Sequence, residues 1–295
     1  MSLASVLRLV LLASIWGGSF IFMRLTANSL GAAYLIEGRV LAAALCLLLI
    51  SCYLRRTLAF MSNIKHFFII GAFNTAFPFL MFAYAAQTLN ASTLAILNST
   101  APLFGAVIAS IWQKERIKLK AGMGLLLGVS GVTVLVGHQA LTLGGQGVWA
   151  ILACLAAAMM YGFSANYTKV APVVAPFENA HGSMWAAVIV VLPLLPLIPI
   201  REPITLPISL SVLTLGVVCT GLAYLLYFRL VKDDGPASAL SVTFLVPLFG
   251  ILWGSLFLGE QIGLNTLLGA LLVVAGTVLV TGFSFKKAVK TPIKA

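Results

Sequence analysis

The chain has 295 residues, of which 61% are hydrophobic and 8% are charged, and its mean hydropathy is +1.09. Soluble domains carry about a quarter of charged residues, so this composition excludes a soluble globular protein and indicates a polytopic membrane protein. The formal net charge of +11 would suggest a nucleic-acid partner in a soluble protein, but in a membrane protein basic loop residues set the orientation.

Ten segments of the chain are apolar and long enough to cross a bilayer, which takes about 20 residues in helical form. In chain order they are 5–25, 32–54, 66–86, 91–112, 120–137, 146–168, 178–199, 209–230, 236–257 and 263–284. The alternation with a period of two that a membrane β-barrel requires is absent from the sequence. The sequence therefore predicts an all-α membrane protein with ten transmembrane helices in contact with the lipid bilayer.

The positions of lysine and arginine predict the orientation. With the N-terminus in the cytoplasm, only Arg24 and Arg201 lie at outer ends, and Arg39 lies within a span. The other fifteen of the 18 basic residues are then cytoplasmic: Arg8, Arg55, Arg56, Lys65, Lys114, Arg116, Lys118, Lys120, Lys169, Arg229, Lys232, Lys286, Lys287, Lys290 and Lys294. Topology thus accounts for the charge without nucleic acid, and the basic tail 286–295 is predicted to be cytoplasmic.

A duplication organises the chain. The tetrapeptide Pro-Leu-Phe-Gly occurs at 102–105 and again at 247–250, an offset of 145 residues from Pro102 to Pro247. The same offset pairs Trp16-Gly17 with Tyr161-Gly162, Gly71 with Gly216, Ser110 with Ser255, and Glu115 with Glu260. The chain is therefore predicted to consist of two repeats, 1–140 and 146–285. Each holds five spans, an odd number, so the second must be inverted, as in many secondary transporters.

These features resemble the EamA family of the drug/metabolite transporter superfamily. The residues that carry the resemblance are Trp16-Gly17-Gly18-Ser19-Phe20 in the first span, Arg24, Arg39, and the paired Pro-Leu-Phe…Glu helices. The resemblance covers nearly the whole chain and implies a bacterial inner-membrane exporter of amino acids and related small metabolites. The second repeat departs from the opening pattern, with Tyr161-Gly162-Phe163-Ser164 in place of Trp-Gly-x-x-Phe.

Polar and aromatic residues deep in the spans are the candidate substrate-binding residues, because polar groups in lipid are costly. They are Trp16, Arg39, Asn74, Asn98, Tyr161, Asn166, Tyr224 and Thr243. Hydrogen bonding between helices is the alternative role for the asparagines and the threonine. Arg39 either snorkels toward the outer interface or faces the cavity, where it would meet an anionic group such as a substrate carboxylate.

Pro102 and Pro247 lie about halfway along two repeat-related spans. Because proline removes a backbone hydrogen bond, each is predicted to kink its helix and to act as a hinge; a static packing kink is the alternative. Glu115 and Glu260, at helix ends, are expected to cap helices or form loop salt bridges. His181 is expected to be solvated at a span end.

The sequence contains no Ser/His/Asp set, no Walker motif and no cluster of metal ligands, so neither an enzyme nor a cofactor is predicted. The favoured function is a non-ATP secondary transporter that exports small metabolites, amino acids or analogues above all, by alternating access. The alternative is a membrane-embedded enzyme or lipid-handling protein that uses the same cavity. Glycines four residues apart in the fifth span predict close helix packing, and the glycine-rich fifth and tenth spans could equally form a homodimer.

Overall fold

The structure, a computed structural model, describes the backbone of residues 2–56, 58, 60–114, 116–235, 239 and 241–282, and the side chains of all of these except 138–143. These residues form helices and turns and contain no strand. The predicted basic tail 286–295 and Glu115 lie outside the described residues.

Nine apolar helices follow one another along the described part of the chain. They are α1 Leu3–Tyr53, α2 Met61–Ala85, α3 Ala91–Gln113, α4 Leu119–Gly137, α5 Gly144–Tyr167, α6 Pro176–Leu197, α7 Leu206–Asp234, α8 Val242–Leu258 and α9 Leu264–Thr281. Eight of them are long and apolar enough to cross a membrane, and α8 is shorter at 17 residues.

The first helix, α1, contains a sharp bend. It is 51 residues long, and a straight helix of that length would measure about 75 Å, more than twice the ~30 Å hydrocarbon core. Gly31 has φ 70° and ψ 166°, a conformation that glycine adopts without steric cost. It divides α1 into an arm of residues 3–30, α1a, and an arm of residues 32–53, α1b. The helix continues through residues 26–30, so the boundary between the predicted spans 5–25 and 32–54 falls at the bend itself.

Repeat-related glycines lie where helices of the two repeats cross. A Cβ at Gly17 on α1a would lie 2.9 Å from the Gly250 nitrogen of α8, and a Cβ at Gly162 on α5 would lie 2.6 Å from the Gly105 nitrogen of α3. Both members of each pair are shifted by 145 residues, from 17 to 162 and from 105 to 250. The two crossings are thus the same contact formed twice, each time between different repeats.

A second pair of crossings also joins the two repeats at glycines 145 residues apart, Gly71 and Gly216. A Cβ at Gly71 on α2 would lie 2.8 Å from the Ser183 carbonyl oxygen of α6, and a Cβ at Gly216 on α7 would lie 2.6 Å from the Arg39 carbonyl oxygen of α1b. Glycine at these positions lets the backbones approach closely, as is common in membrane helix packing. The Gly216 crossing also holds the backbone of Arg39 directly against α7.

The glycine-rich helices α4 and α9 pack against each other. A Cβ at Gly124 would lie 2.6 Å from the Gly276 carbonyl oxygen, and one at Gly131 would lie 2.8 Å from the Gly269 carbonyl oxygen. The first contact joins the lower residue number on α4 to the higher on α9, so the helices run antiparallel, as inverted repeats require. Because these glycine faces are occupied within one chain, a homodimer through α4 and α9 would have to use their other faces.

The two repeat-related prolines have different surroundings. α3 is broken into Ala91–Asn98 and Ala101–Gln113, with Pro102 in the first turn of the second segment. The Thr277 hydroxyl of α9 donates to the Ser99 carbonyl oxygen at this break, at 3.1 Å. Pro247, by contrast, lies inside α8, which continues from Val242 to Leu258.

The crossing at Gly17 makes a testable prediction. A Gly17→Ala substitution places a methyl group 2.7 Å from Phe249 Cβ and 2.9 Å from backbone atoms of α8, and overpacking of this kind costs about 1–3 kcal/mol. Gly18→Ala is the matched control, because its new methyl group would meet Trp253 at an ordinary 3.5 Å. The thermal unfolding midpoint of the purified protein should fall for Gly17→Ala and not for Gly18→Ala. Equal midpoints for the two variants would contradict the crossing.

Candidate functional site

Aromatic side chains from both repeats meet beside α1a. The Trp16 ring lies 6.5 Å from the Tyr224 ring and 5.8 Å from the Tyr227 ring of α7. One turn further along α1a, Phe20 packs edge-on against Phe82 of α2 at 5.7 Å. Phe82 in turn stacks on Tyr161 of α5 at 6.3 Å. Helices α1 and α2 from the first repeat and α5 and α7 from the second therefore form one aromatic wall.

Arg39 lies at the polar centre of this wall. It is only 5% exposed, and its Nε donates a 3.0 Å hydrogen bond to the Thr220 hydroxyl of α7. Its Nη1 lies 3.5 Å from the Met23 sulfur. The Arg39 Cζ stands 3.7 Å above the centre of the Phe79 ring, a cation–π geometry. Arg39 therefore faces the interior and does not snorkel outward.

One further predicted residue, Asn74, belongs to the same group, and two tyrosines of the wall lie near Arg39. The Asn74 amide of α2 donates a long 3.5 Å hydrogen bond to the Tyr224 hydroxyl, and the side chains of Tyr161 and Tyr224 lie close enough to interact with the Arg39 charge. We call the following residues the central cluster: Trp16, Arg39, Asn74, Phe79, Phe82, Tyr161, Thr220 and Tyr224. Five of these eight were named as candidates on sequence grounds, all except Phe79, Phe82 and Thr220.

Both repeats place a π-helical turn beside the central cluster. Residues Ala72–Ala76 of α2 and Thr214–Leu222 of α7 have this wider helical form, and they follow or contain the crossing glycines Gly71 and Gly216. The Thr220 hydroxyl donates to the Leu215 carbonyl oxygen, five residues earlier, at 2.8 Å, while it accepts from Arg39. Such turns are frequent at functional sites, and here they carry Asn74 and Thr220.

Other sequence candidates lie elsewhere. The Asn166 amide nitrogen donates to the Gly105 and Gly162 carbonyl oxygens at 2.8 and 2.9 Å, and its oxygen accepts from Lys169 Nζ at 3.1 Å. The whole amide is thus engaged at the crossing of α3 and α5. Asn98 is half-buried at the end of the first segment of α3, and Thr243 is half-buried one turn before Pro247 on α8.

Sequence reasoning missed Phe79 and Phe82. They are three residues apart, a spacing that places both on one face of α2, so a signal was present. However, aromatic residues at this spacing are equally typical of a packed core. Only the contacts with Arg39 and Tyr161 distinguish residues that line a binding site from residues that only pack in the core.

One end of the bundle, where Arg24 and Arg201 lie, is closed by contacts between the repeats. The Glu260 carboxylate after α8 accepts the backbone N–H groups of Ala91 and Ser92 at 2.6 and 3.0 Å and also the Ser92 hydroxyl. It therefore caps the first turn of α3 from the other repeat, where a negative charge is favoured. Arg24 donates to the Ala86 and Gln87 carbonyl oxygens nearby, at 2.8 and 2.9 Å.

The two histidines whose side chains the structure describes, His66 and His181, are both buried. His181 is 2% exposed and its Nε2 accepts a 3.0 Å hydrogen bond from Trp185 Nε1, so the expectation of a solvated His181 is wrong. His66, also buried, bonds to Asn179 at 2.9 Å. Among the described residues, no group of three His, Cys, Asp or Glu side chains could hold a metal ion.

A separate apolar groove of about 520 Å³ lies between α1a, α7 and α8. Its walls include Gly18, Phe22, Val218, Trp253 and Phe257. Trp16, Phe20 and Met23 project from the opposite face of α1a, because residues at spacings of three and four share a helix face. The groove is therefore separated from the central cluster by the body of α1a.

Long apolar helices in two interlocked repeats, with a polar and aromatic cluster between them, are features of multi-pass membrane transporters. The sequence model of the EamA-like transporter family matches residues 3–137 and 148–282. The chain therefore belongs to the EamA-like transporter family.

Individual relatives and a solved structure are similar over nearly the full length. An uncharacterized transporter of Bacillus subtilis (strain 168), YoaV, is 24% identical over 96% of this chain and 98% of its own. A protein of Streptantibioticus cattleyicolor named a probable terminal-alkyne amino-acid exporter is 25% identical over 94% of this chain and 93% of its own. One crystal structure superposes with a TM-score of 0.64 at 15% identity, covering 96% and 99% of the two chains, which shows the fold alone.

Two asparagines provide a matched test of the site. Asn166→Ala removes two short bonds at a helix crossing and should lower the thermal unfolding midpoint, since each hydrogen bond contributes about 0.5–1.5 kcal/mol to stability. Asn74→Ala removes only one 3.5 Å contact, so it should leave the midpoint nearly unchanged while it weakens binding of a transported solute. Reversed effects of the two substitutions would place the site around Asn166 instead.

Proposed function

We propose that the protein is a secondary transporter that exports small metabolites, amino acids or their analogues, by alternating access and without ATP. The observation that carries the proposal is the central cluster, in which a buried arginine and several aromatic rings from both repeats converge between crossing helices. The relative named as a probable amino-acid exporter supports this substrate class.

We place the protein in the bacterial inner membrane with ten spans. Because α1a and α1b have lengths of about 42 and 33 Å at 1.5 Å per residue, each arm is long enough to cross the hydrocarbon core by itself. Together with α2 to α9 they give ten spans, so both termini lie on the side with most lysine and arginine, the cytoplasm. The end closed by Glu260 is then the outer end.

In this assignment the molecule is closed outside and more open toward the cytoplasm. The first segment of α3 packs against α8, and residues 91–97 are buried on every face. The second segment packs mainly against α4, α5 and α9, and residues 104–110 are all half-exposed. The break at Ser99 and Thr100 is thus the point where α3 turns away from α8.

The repeat relation between the crossings suggests what the second, outward-open conformation looks like. Inverted repeats can exchange conformations, so that the arrangement of one becomes that of the other and access moves to the opposite side. Here α3 is broken before Pro102, whereas its counterpart α8 is continuous through Pro247. In the outward-open state we expect α3 to straighten and α8 to bend near Pro247, so that both prolines act as hinges.

Reconstitution into proteoliposomes tests the proposal. We expect an unmodified amino acid or analogue to move down its gradient, at a rate far above that of empty vesicles. A Trp16→Ala variant with an unchanged unfolding midpoint should transport more slowly, because it removes the central ring of the aromatic wall. Chemical conversion of the solute without flux would instead favour a membrane enzyme. If every solute tested showed neither flux nor conversion, the proposal would be contradicted.

The outer closure makes its own prediction. Glu260→Gln removes the charge that caps α3 and should raise labelling of a cysteine at Asn98 by a membrane-impermeant reagent from outside, several-fold, in a background in which the four native cysteines are alanine. Glu178→Gln is the matched control, because Glu178 lies in the first turn of α6 at the other end. Unchanged labelling for Glu260→Gln would contradict a closing role for this contact.

A further inference from the structure

Arg39 lacks a counter-charge in the part of the chain that the structure describes. Its partners there are a hydroxyl, a thioether and an aromatic ring. The carboxylates of Glu202, Asp233 and Glu260 are bonded to Ser29, to Arg8 and Arg229, and to the start of α3, respectively. An ionised side chain buried in a membrane protein is costly unless it is paired. We therefore expect an anion from outside the chain to pair with the Arg39 guanidinium.

Glu37, the acid nearest to Arg39 along the chain, does not fill this role. The two residues are two positions apart on α1b, a spacing that places them on different faces. Glu37 is buried, and its Oε2 has no hydrogen-bond partner. The Arg39 side chain instead points toward Phe79 and Thr220.

The guanidinium retains donors for a ligand. An arginine has five N–H groups in a planar fork that matches a carboxylate, and the described residues engage only Nε and Nη1. Nη2 has no protein partner among them, and it is not among the polar atoms that the protein completely encloses. An anion bound at Nη2 would therefore displace no existing ion pair.

The rest of the central cluster is neutral and aromatic. Phe79, Phe82, Trp16, Tyr161 and Tyr224 present rings, and Asn74 and Thr220 present uncharged polar groups. The cluster contains no carboxylate that could neutralise an ammonium group on a ligand. Ligand pockets of this kind take their affinity from apolar contact and their orientation from a few polar groups.

We propose that the site selects carboxylates that bear an aromatic or bulky apolar group, and that an α-ammonium group on the cargo is not required. This proposal rests on the proposed transport function and names its substrate class. A monocarboxylate neutralises Arg39, whereas an amino acid brings a positive charge that only ring faces and water can accommodate. Aromatic carboxylates without an amino group therefore bind at least as tightly as the corresponding amino acids, and aromatic amines bind much more weakly.

Three compounds with the same phenylethyl skeleton separate the contributions: 3-phenylpropionate, phenylalanine and 2-phenylethylamine. Their affinities are measured by the thermal stabilisation of the purified wild-type protein, since a ligand that binds the folded state stabilises it according to its concentration and Kd. We expect 3-phenylpropionate to bind at least as tightly as phenylalanine, and 2-phenylethylamine to bind at least tenfold more weakly than either. An amine that binds as tightly as the two carboxylates, or phenylalanine tenfold tighter than 3-phenylpropionate, would overturn the proposal.

Variants then assign the effect to Arg39. Arg39→Gln should weaken 3-phenylpropionate at least tenfold, and Arg39→Lys should retain part of the affinity, because lysine keeps the charge but not the planar fork. Arg201→Gln is the control, since Arg201 is exposed and bonds to Gln87 at 2.8 Å, away from the cluster. If the wild type, Arg39→Lys and Arg39→Gln all bound 3-phenylpropionate with the same affinity, the role of Arg39 would be contradicted.

The comparison of the three ligands uses only the wild-type protein, so it decides the substrate class even if Arg39→Gln does not fold.

Flux in proteoliposomes separates the proposed substrate class from the proposed transport function on which it rests. Transport of other solutes without binding of any aromatic carboxylate would overturn the substrate class and leave the transport function standing, whereas absence of flux for every solute would contradict the function itself.

Discussion

Close backbone contact at four glycine crossings is the interaction on which the rest of the molecule depends. Lipid tails are as apolar as leucine, so helices in a membrane are held together by packing and hydrogen bonds rather than by the hydrophobic effect. Each crossing joins one repeat to the other, at Gly17, Gly71, Gly162 and Gly216. The Gly17 crossing fixes the neighbouring Trp16, and the Gly216 crossing fixes the backbone of Arg39. The central cluster is thus a product of the interlocked repeats and belongs to neither alone.

Much of the fold could be predicted from the sequence, because hydropathy and the 145-residue offset report local and repeated features. The continuation of the helix up to Gly31, and the difference between the broken α3 and the continuous α8, were harder. Thr26, Asn28 and Ser29 are weak helix formers, so the sequence predicts a break there, but the helix continues to Gly31. Residues 198–202 pack against this bend and donate backbone hydrogen bonds to the Ser29 carbonyl oxygen. Pro102 and Pro247 are each followed by Leu-Phe-Gly, although the residues before them differ. Their helices differ: the Thr277 hydroxyl bonds the Ser99 carbonyl oxygen at the break in α3, while α8 is continuous through Pro247 and packs against α1.

The candidate site was predictable as a set of residue types but not as an arrangement. Asn74 and Asn166 are both deep asparagines, yet Asn166 is fully engaged by backbone carbonyl groups and Asn74 only loosely by Tyr224. Arg39 had two open interpretations, and its inward direction follows from Thr220, which lies 181 residues away along the chain. Such pairings depend on tertiary contacts, which spacing along one helix does not contain.

A cryo-electron microscopy structure of the protein in lipid nanodiscs with a transported solute bound tests the central claim most directly. The account predicts ligand density between Trp16 and Arg39, with an acidic group of the solute within hydrogen-bond distance of Arg39 Nη2 and its apolar part against Phe79 or Tyr224. Density in the groove on the other face of α1a, beside Trp253 and Phe257, with the central cluster unchanged and empty, would contradict it.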